Sequence, residues 1–149
     1  MNHLILSILA LAGGIFLAMQ GGLNAQLGVM LKSPLLASLV GFTVSMLLAL
    51  LVVTISMRQV PDVQHLKKVP YYLWFAGGAM SLLGIGLYYY TMPKLGISTM
   101  ISLGLFGQLI FAVVAGHFGW FGLPVEPVDT KRIGGVLAMI LGIFLINNK

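Results

Sequence analysis

Acidic side chains are nearly absent from this chain. Asp62, Glu126 and Asp129 are the only acids in 149 residues, against eight lysines and arginines. All three lie between apolar runs, so no carboxylate falls inside one. Proton and cation relays across a membrane ordinarily use such a buried acid, which argues against a small multidrug pump exchanging protons for cations. No paired-carboxylate site or Ser-His-Asp set is present, and enzymatic activity is not expected. Cysteine is missing altogether, which excludes disulfides and thiolate metal sites. His3, His65 and His117 are too dispersed to hold a metal. No cofactor and no metal are expected.

Charge of either sign is scarce. Charged residues make up 7% of the chain and hydrophobic residues 59%, where a soluble domain carries about 25% charged residues. Such a chain cannot cover its own surface in water. The expected fold is an all-α integral membrane protein in a lipid bilayer. The net charge of +5 does not indicate nucleic acid, because the basic residues are scattered singly or in pairs with no basic stripe. The first apolar run is too long for a cleavable signal and lacks a basic n-region, so it reads as a retained helix.

A helical span takes about 20 apolar residues. Five segments meet this length, over 4–31, 34–57, 70–92, 95–118 and 130–147, within a single membrane domain of residues 1–149. Ser33 is a good N-cap for the second helix, with Pro34 at its first position. Residues 58–69 are the most polar stretch, and Asp62 could cap one interfacial turn there. Tyr71, Tyr72 and Trp74 mark one membrane interface and Tyr88, Tyr89 and Tyr90 the other. Pro93 and Lys94 read as a short hairpin, and Asp129 or Thr130 as the cap of the last helix. That helix is short, with Lys131, Arg132 and Lys149 snorkelling at its ends; partial insertion is the alternative. In one orientation Arg58, Lys67, Lys68, Lys131 and Arg132 face the cytoplasm, and Lys32, Lys94 and Lys149 lie outside. The bias is weak, so both orientations could be inserted.

Residues 13–28 hold most of the chemistry of the first helix. Gly14, Ala18, Gly21, Ala25 and Gly28 recur at spacings of four and three and line one helix seam. Gln20 and Asn24 are four apart on a face about a quarter-turn away. These amides either contact a solute or bond to other helices, a contribution of about 0.6–2 kcal/mol each in a membrane. Gln108 lies near mid-bilayer on the fourth helix, beside Gly104, and faces the same two readings. Gly77 and Gly84 continue into Tyr88 on the third helix, and Gly135 and Gly142 repeat the device on the fifth; these glycines read as close packing. Trp74 and Tyr88 read as interface anchors or as part of a ligand cage.

The run Gln20-x3-Asn24-x2-Leu27, the turn at Pro34, and Ala37, Ser38 and Gly41 resemble the start of the YdcZ-like family. Residues 107–146 resemble its C-terminal half, including Gly107-Gln108, His117-Phe118-Gly119-Trp120 and the Gly134-Gly135 pair. The resemblance covers nearly the whole chain. It implies a five-helix half-transporter of the drug/metabolite transporter (EamA-like) superfamily in the inner membrane. It further implies an antiparallel, inverted ten-helix dimer with a central cavity. An odd span count agrees, since two fused copies would insert with opposite topologies. The partner is a second copy of the chain or an oppositely oriented homologous chain. Gln20, Asn24 and Gln108 match the family's polar membrane positions.

The expected function is transport of a small-molecule substrate by alternating access across an antiparallel homodimer, as an exporter. A neutral lining favours a neutral or zwitterionic solute. The alternatives are a passive channel and a non-transporting membrane subunit of a larger complex.

Overall fold

The computed structural model describes residues 2–56 and 62–147, apart from the side chains of Val63 and His65. The expected end of the second helix at Met57, and Arg58 and Lys149 from the charge count, lie outside the described residues. Among the described residues six α-helices follow in order: α1 (His3–Met30), α2 (Pro34–Ser56), α3 (Val63–Lys67), α4 (Tyr71–Leu95), α5 (Ile97–His117) and α6 (Thr130–Asn147). A 3-10 turn, Trp120–Gly122, sits between α5 and α6. There is no strand among the described residues.

Four of the helices, α1, α2, α5 and α6, are long and apolar enough to cross a membrane by length and composition. α4 is also long, at 25 residues, but glycines and tyrosines along it dilute its apolar character. Leu4, Phe16, Leu47, Ile55, Phe75 and Leu145 all stand exposed. The buried apolar set is small and made of modest side chains, including Ala25, Ala37, Met92 and Ala115. This inversion suits lipid, where close approach of small residues rather than hydrophobic collapse holds helices together.

Residues 2–93 form one compact unit and residues 94–147 belong to a second. In the first unit, α1 packs on α2 across a three-residue turn. Leu31 ends α1, and Lys32 takes a left-handed conformation at φ 53°. The Ser33 amide then donates to the Gly28 carbonyl at 2.9 Å and the Lys32 amide to the Val29 carbonyl at 3.1 Å. These are the paired 6→1 and 5→2 bonds of a Schellman ending. The Ser33 hydroxyl accepts the Leu36 amide at 3.3 Å, the expected N-cap. In the polar connection, α3 opens with the Leu66 amide bonded to the Asp62 carbonyl.

The third and fourth helices differ from their expected bounds. α4 continues through Pro93 to Leu95, and the break falls at Gly96, with φ 84° and ψ 155°. Proline in a final helical turn forfeits one amide bond without forcing a reversal there. The backbone at Gly96 is open essentially to glycine alone, so the helix ends where the glycine stands. In the second unit α5 packs on α6. Asp129 caps α6, its carboxylate accepting the Arg132 amide at 2.8 Å.

Candidate functional site

Asn24 is placed by the middle of α1, where the chain is committed to helix on both sides. Its amide nitrogen donates to the Tyr89 hydroxyl on α4 at 2.8 Å. Tyr89 is 3% exposed, so the phenol is buried and its oxygen accepts this bond. Across the same amide lies Gly41 of α2; a Cβ added there would stand 3.2 Å from the Asn24 nitrogen. Asn24 therefore ties three helices, and the glycine on α2 is what makes room for it. This corrects one reading of the tyrosine run. Tyr89 points inward rather than into an aromatic belt, because consecutive helical residues are about 100° apart and three in a row cannot share one face.

The small-residue seam of α1 divides into two stretches. Gly21, Ala25 and Gly28 are buried. A Cβ on Gly28 would meet the Ala37 Cβ at 3.4 Å, and one on Gly21 would meet the terminal methyl of Met92 at 3.1 Å. Ala18 is half-buried, and a Cβ on Gly14 would face open space. The seam is used toward its C-terminal end, where α2 turns back along it. Gly77 and Gly84 of α4 and Gly135 and Gly142 of α6 also face open space, while Gly104 is half-buried.

The remaining candidates are spread out. Gln20 is half-buried one turn before Asn24. Tyr88 is half-buried beside Tyr89, and Trp74 is exposed near the other end of α4. Fourteen residues of helix separate these two aromatics by about 21 Å. Gln108 is exposed at the middle of α5, in the second unit.

The second unit carries a polar knot that composition alone does not reveal. Arg132 donates from Nη1 to the Glu126 carbonyl at 2.7 Å and pairs through Nη2 with the Glu126 carboxylate. The Glu126 amide donates to the Gly116 carbonyl at 2.8 Å, and the Val128 amide to His117 Nδ1 at 3.3 Å. The loop from the end of α5 to the start of α6 is thus held on the last turn of α5. Above it, Phe111 lies 6.1 Å from both Trp120 and Phe121, and Phe118 stacks on Trp120 at 6.0 Å. Gly119, Phe121 and Gly122 all have positive φ. The spacing of Glu126 and Arg132, six residues across a helix start, was the available signal for the ion pair; the left-handed bends that close it have no periodic signature.

Among the open grooves between α5 and α6, two lie at the end that carries Arg132. One, of about 250 Å³, is lined by apolar side chains including Ile110, Val114, Val128 and Leu137. The other, of about 400 Å³, has Glu126 and Arg132 at its edge over Leu109, Ala112 and Val136. Neither includes Gln108.

Long apolar helices, outward-facing leucines and phenylalanines, and charged side chains kept to the connections and helix ends define a multi-pass helical membrane protein. The family model described as "Putative inner membrane exporter, YdcZ" matches residues 5–145. The chain belongs to this family, and it is a multi-pass protein of the inner membrane. The family is one of transporters rather than an enzyme class. Neither the curated proteins nor the solved structures contain a match.

Proposed function

We propose that the chain is half of a small-solute exporter, with α4 as its fifth span, working by alternating access in an antiparallel dimer within the drug/metabolite transporter superfamily. Membership of the inner membrane exporter family carries this reading. The open glycine faces of α4 and α6 support it, since Gly77, Gly84, Gly135 and Gly142 offer close approach to a second chain. An odd number of spans lets two identical chains of opposite orientation build an inverted repeat.

Gln20, Asn24, Tyr88 and Gln108 are the residues assigned to the solute, with Trp74 as the outlying aromatic. Asn24 spends one amide hydrogen on Tyr89 and keeps its carbonyl oxygen for a second donor. A lining of amides and a phenol favours a neutral or zwitterionic solute. Purified protein in liposomes, tested with a broad solute panel, should give saturable uptake with counterflow. Absence of transport and binding in both orientations would remove the proposal. Flux that neither saturates nor shows counterflow would make it a channel.

A further inference from the structure

The segment joining α5 to α6 is loop-like in composition, with two prolines, a glutamate and an aspartate, and would ordinarily be placed in water. We infer that residues 118–128 lie within the interfacial layer of the bilayer, with Trp120 and Phe121 inserted at the headgroup boundary, and complete the crossing that α6 begins.

Three observations carry this. The first is depth. The Glu126 and Val128 amides bond to Gly116 and His117, so this strand of chain runs beside the last turn of α5 rather than beyond its end. α5 is itself long and apolar enough to span. Whatever surrounds its last turn therefore surrounds residues 126–128.

The second is length. α6 has 18 residues, about 27 Å at 1.5 Å per residue, against a hydrocarbon core of about 30 Å. α5 has 21 residues, or about 31 Å. Val128, Val125 and Leu123, all three exposed, continue apolar surface beyond the N-terminal end of α6.

The third is backbone satisfaction. Non-helical chain approaches hydrocarbon at lower cost where its backbone amides have partners. From Leu123 to Val128, Pro124 and Pro127 have no amide hydrogen. Leu123 donates to the Trp120 carbonyl, Glu126 to Gly116 and Val128 to His117. Among the described residues that leaves the Val125 amide. Arg132 also takes the Glu126 carbonyl. Each paired amide removes a group that would otherwise have to be kept in water.

The aromatic group then has a use. Phe118 and Phe121 are largely exposed, and Phe121 holds a left-handed φ of 63° that bulky residues avoid. That conformation keeps its ring against Phe111 and outward from the helix pair. Tryptophan beside phenylalanine at a span end matches the polar–apolar gradient of the interface.

The chain has two tryptophans, so Trp74→Phe leaves Trp120 as the lone reporter. In phosphatidylethanolamine–phosphatidylglycerol vesicles, Trp120 emission should be blue-shifted. It should lose most of its intensity to spin-labelled lipids carrying the label near the glycerol level, and little to iodide. Strong iodide quenching with none from lipid overturns the inference, and so does protection from both, which means that protein covers the loop. A separate variant guards against misfolding of the first. Leu123→Cys should react with a lipid-soluble maleimide and resist a charged one applied to both faces. Rapid reaction with the charged reagent overturns the inference.

Discussion

The Asn24 amide nitrogen lies 2.8 Å from the Tyr89 hydroxyl, across 65 residues of sequence. This bond joins α1 to α4. Tyr89→Phe removes the acceptor and leaves a part-buried amide unsatisfied. The expected loss is about 0.6–2 kcal/mol, the range for interhelical hydrogen bonds in membranes. A double-mutant cycle of Asn24→Ala with Tyr89→Phe, read by thermal unfolding in detergent, should be non-additive. Additive losses would mean that the two groups do not act together.

Gly41→Ala tests the same junction from α2. The new methyl would stand 3.2 Å from the Asn24 nitrogen, and the amide must move by a few tenths of an ångström. The variant should lose stability comparable to Tyr89→Phe and add little when combined with it. Gly21→Ala meets only the flexible end of Met92 at 3.1 Å and should cost less. Equal losses for the two alanines would contradict the assignment of Gly41 to Asn24.

Arg132→Ala should loosen the α5–α6 connection more than Glu126→Ala does. An exposed ion pair contributes about 0–1 kcal/mol, and each variant removes it. Arg132→Ala alone also removes the donor to the Glu126 carbonyl. Hydrogen exchange at Glu126 and Val128 is the measurement, with faster exchange expected in the arginine variant.

Gly119→Ala and Gly107→Ala should move stability in opposite directions. At Gly119 a Cβ meets Val125 Cγ2 at 2.8 Å and the φ is +62°, so about 1–2 kcal/mol is lost. Gly107 is helical with nothing within 4 Å, and alanine there gains up to about 1 kcal/mol in helix propensity. Thermal unfolding compares them directly. A neutral Gly119→Ala would show that the loop adopts another path.

Gln108→Leu tests the proposed solute contacts. Expression and oligomeric state should be retained and uptake into liposomes lost. If size-exclusion chromatography instead shows dissociation or aggregation, Gln108 holds helices together rather than solute.

Local signals were legible in the sequence. Ser33 before Pro34, and Asp129 before the basic start of α6, announce caps because a cap involves neighbours within one turn. The shared face of Gly21, Ala25 and Gly28 was legible for the same reason, a spacing of three and four, whereas nothing in the spacing told the buried part of the seam from Gly14, which faces open space. The partner of Asn24 was not, because Tyr89 stands in a run of three tyrosines that reads as a belt, and nothing local marks which one turns inward. The end of α4 was misplaced because proline is the louder helix signal, whereas the residue that changes the backbone is Gly96. The Glu126–Arg132 knot depends on three left-handed residues in a loop without periodicity.

The packed helix pairs, α1 with α2 and α5 with α6, join segments adjacent in sequence. The first pair closes over the residues Leu31–Ser33 and the second over a stretch whose amides are tied mainly to the last turn of α5. Short closures carry a small entropic cost and form early. The first pair can therefore assemble as a helical hairpin soon after α2 leaves the ribosome, before α4, α5 and α6 are made, and the second can do so once α6 follows α5. The Schellman turn at Lys32 and the Asp129 cap are then features of biogenesis as much as of the finished protein, since they set where each newly made hairpin folds back into the bilayer.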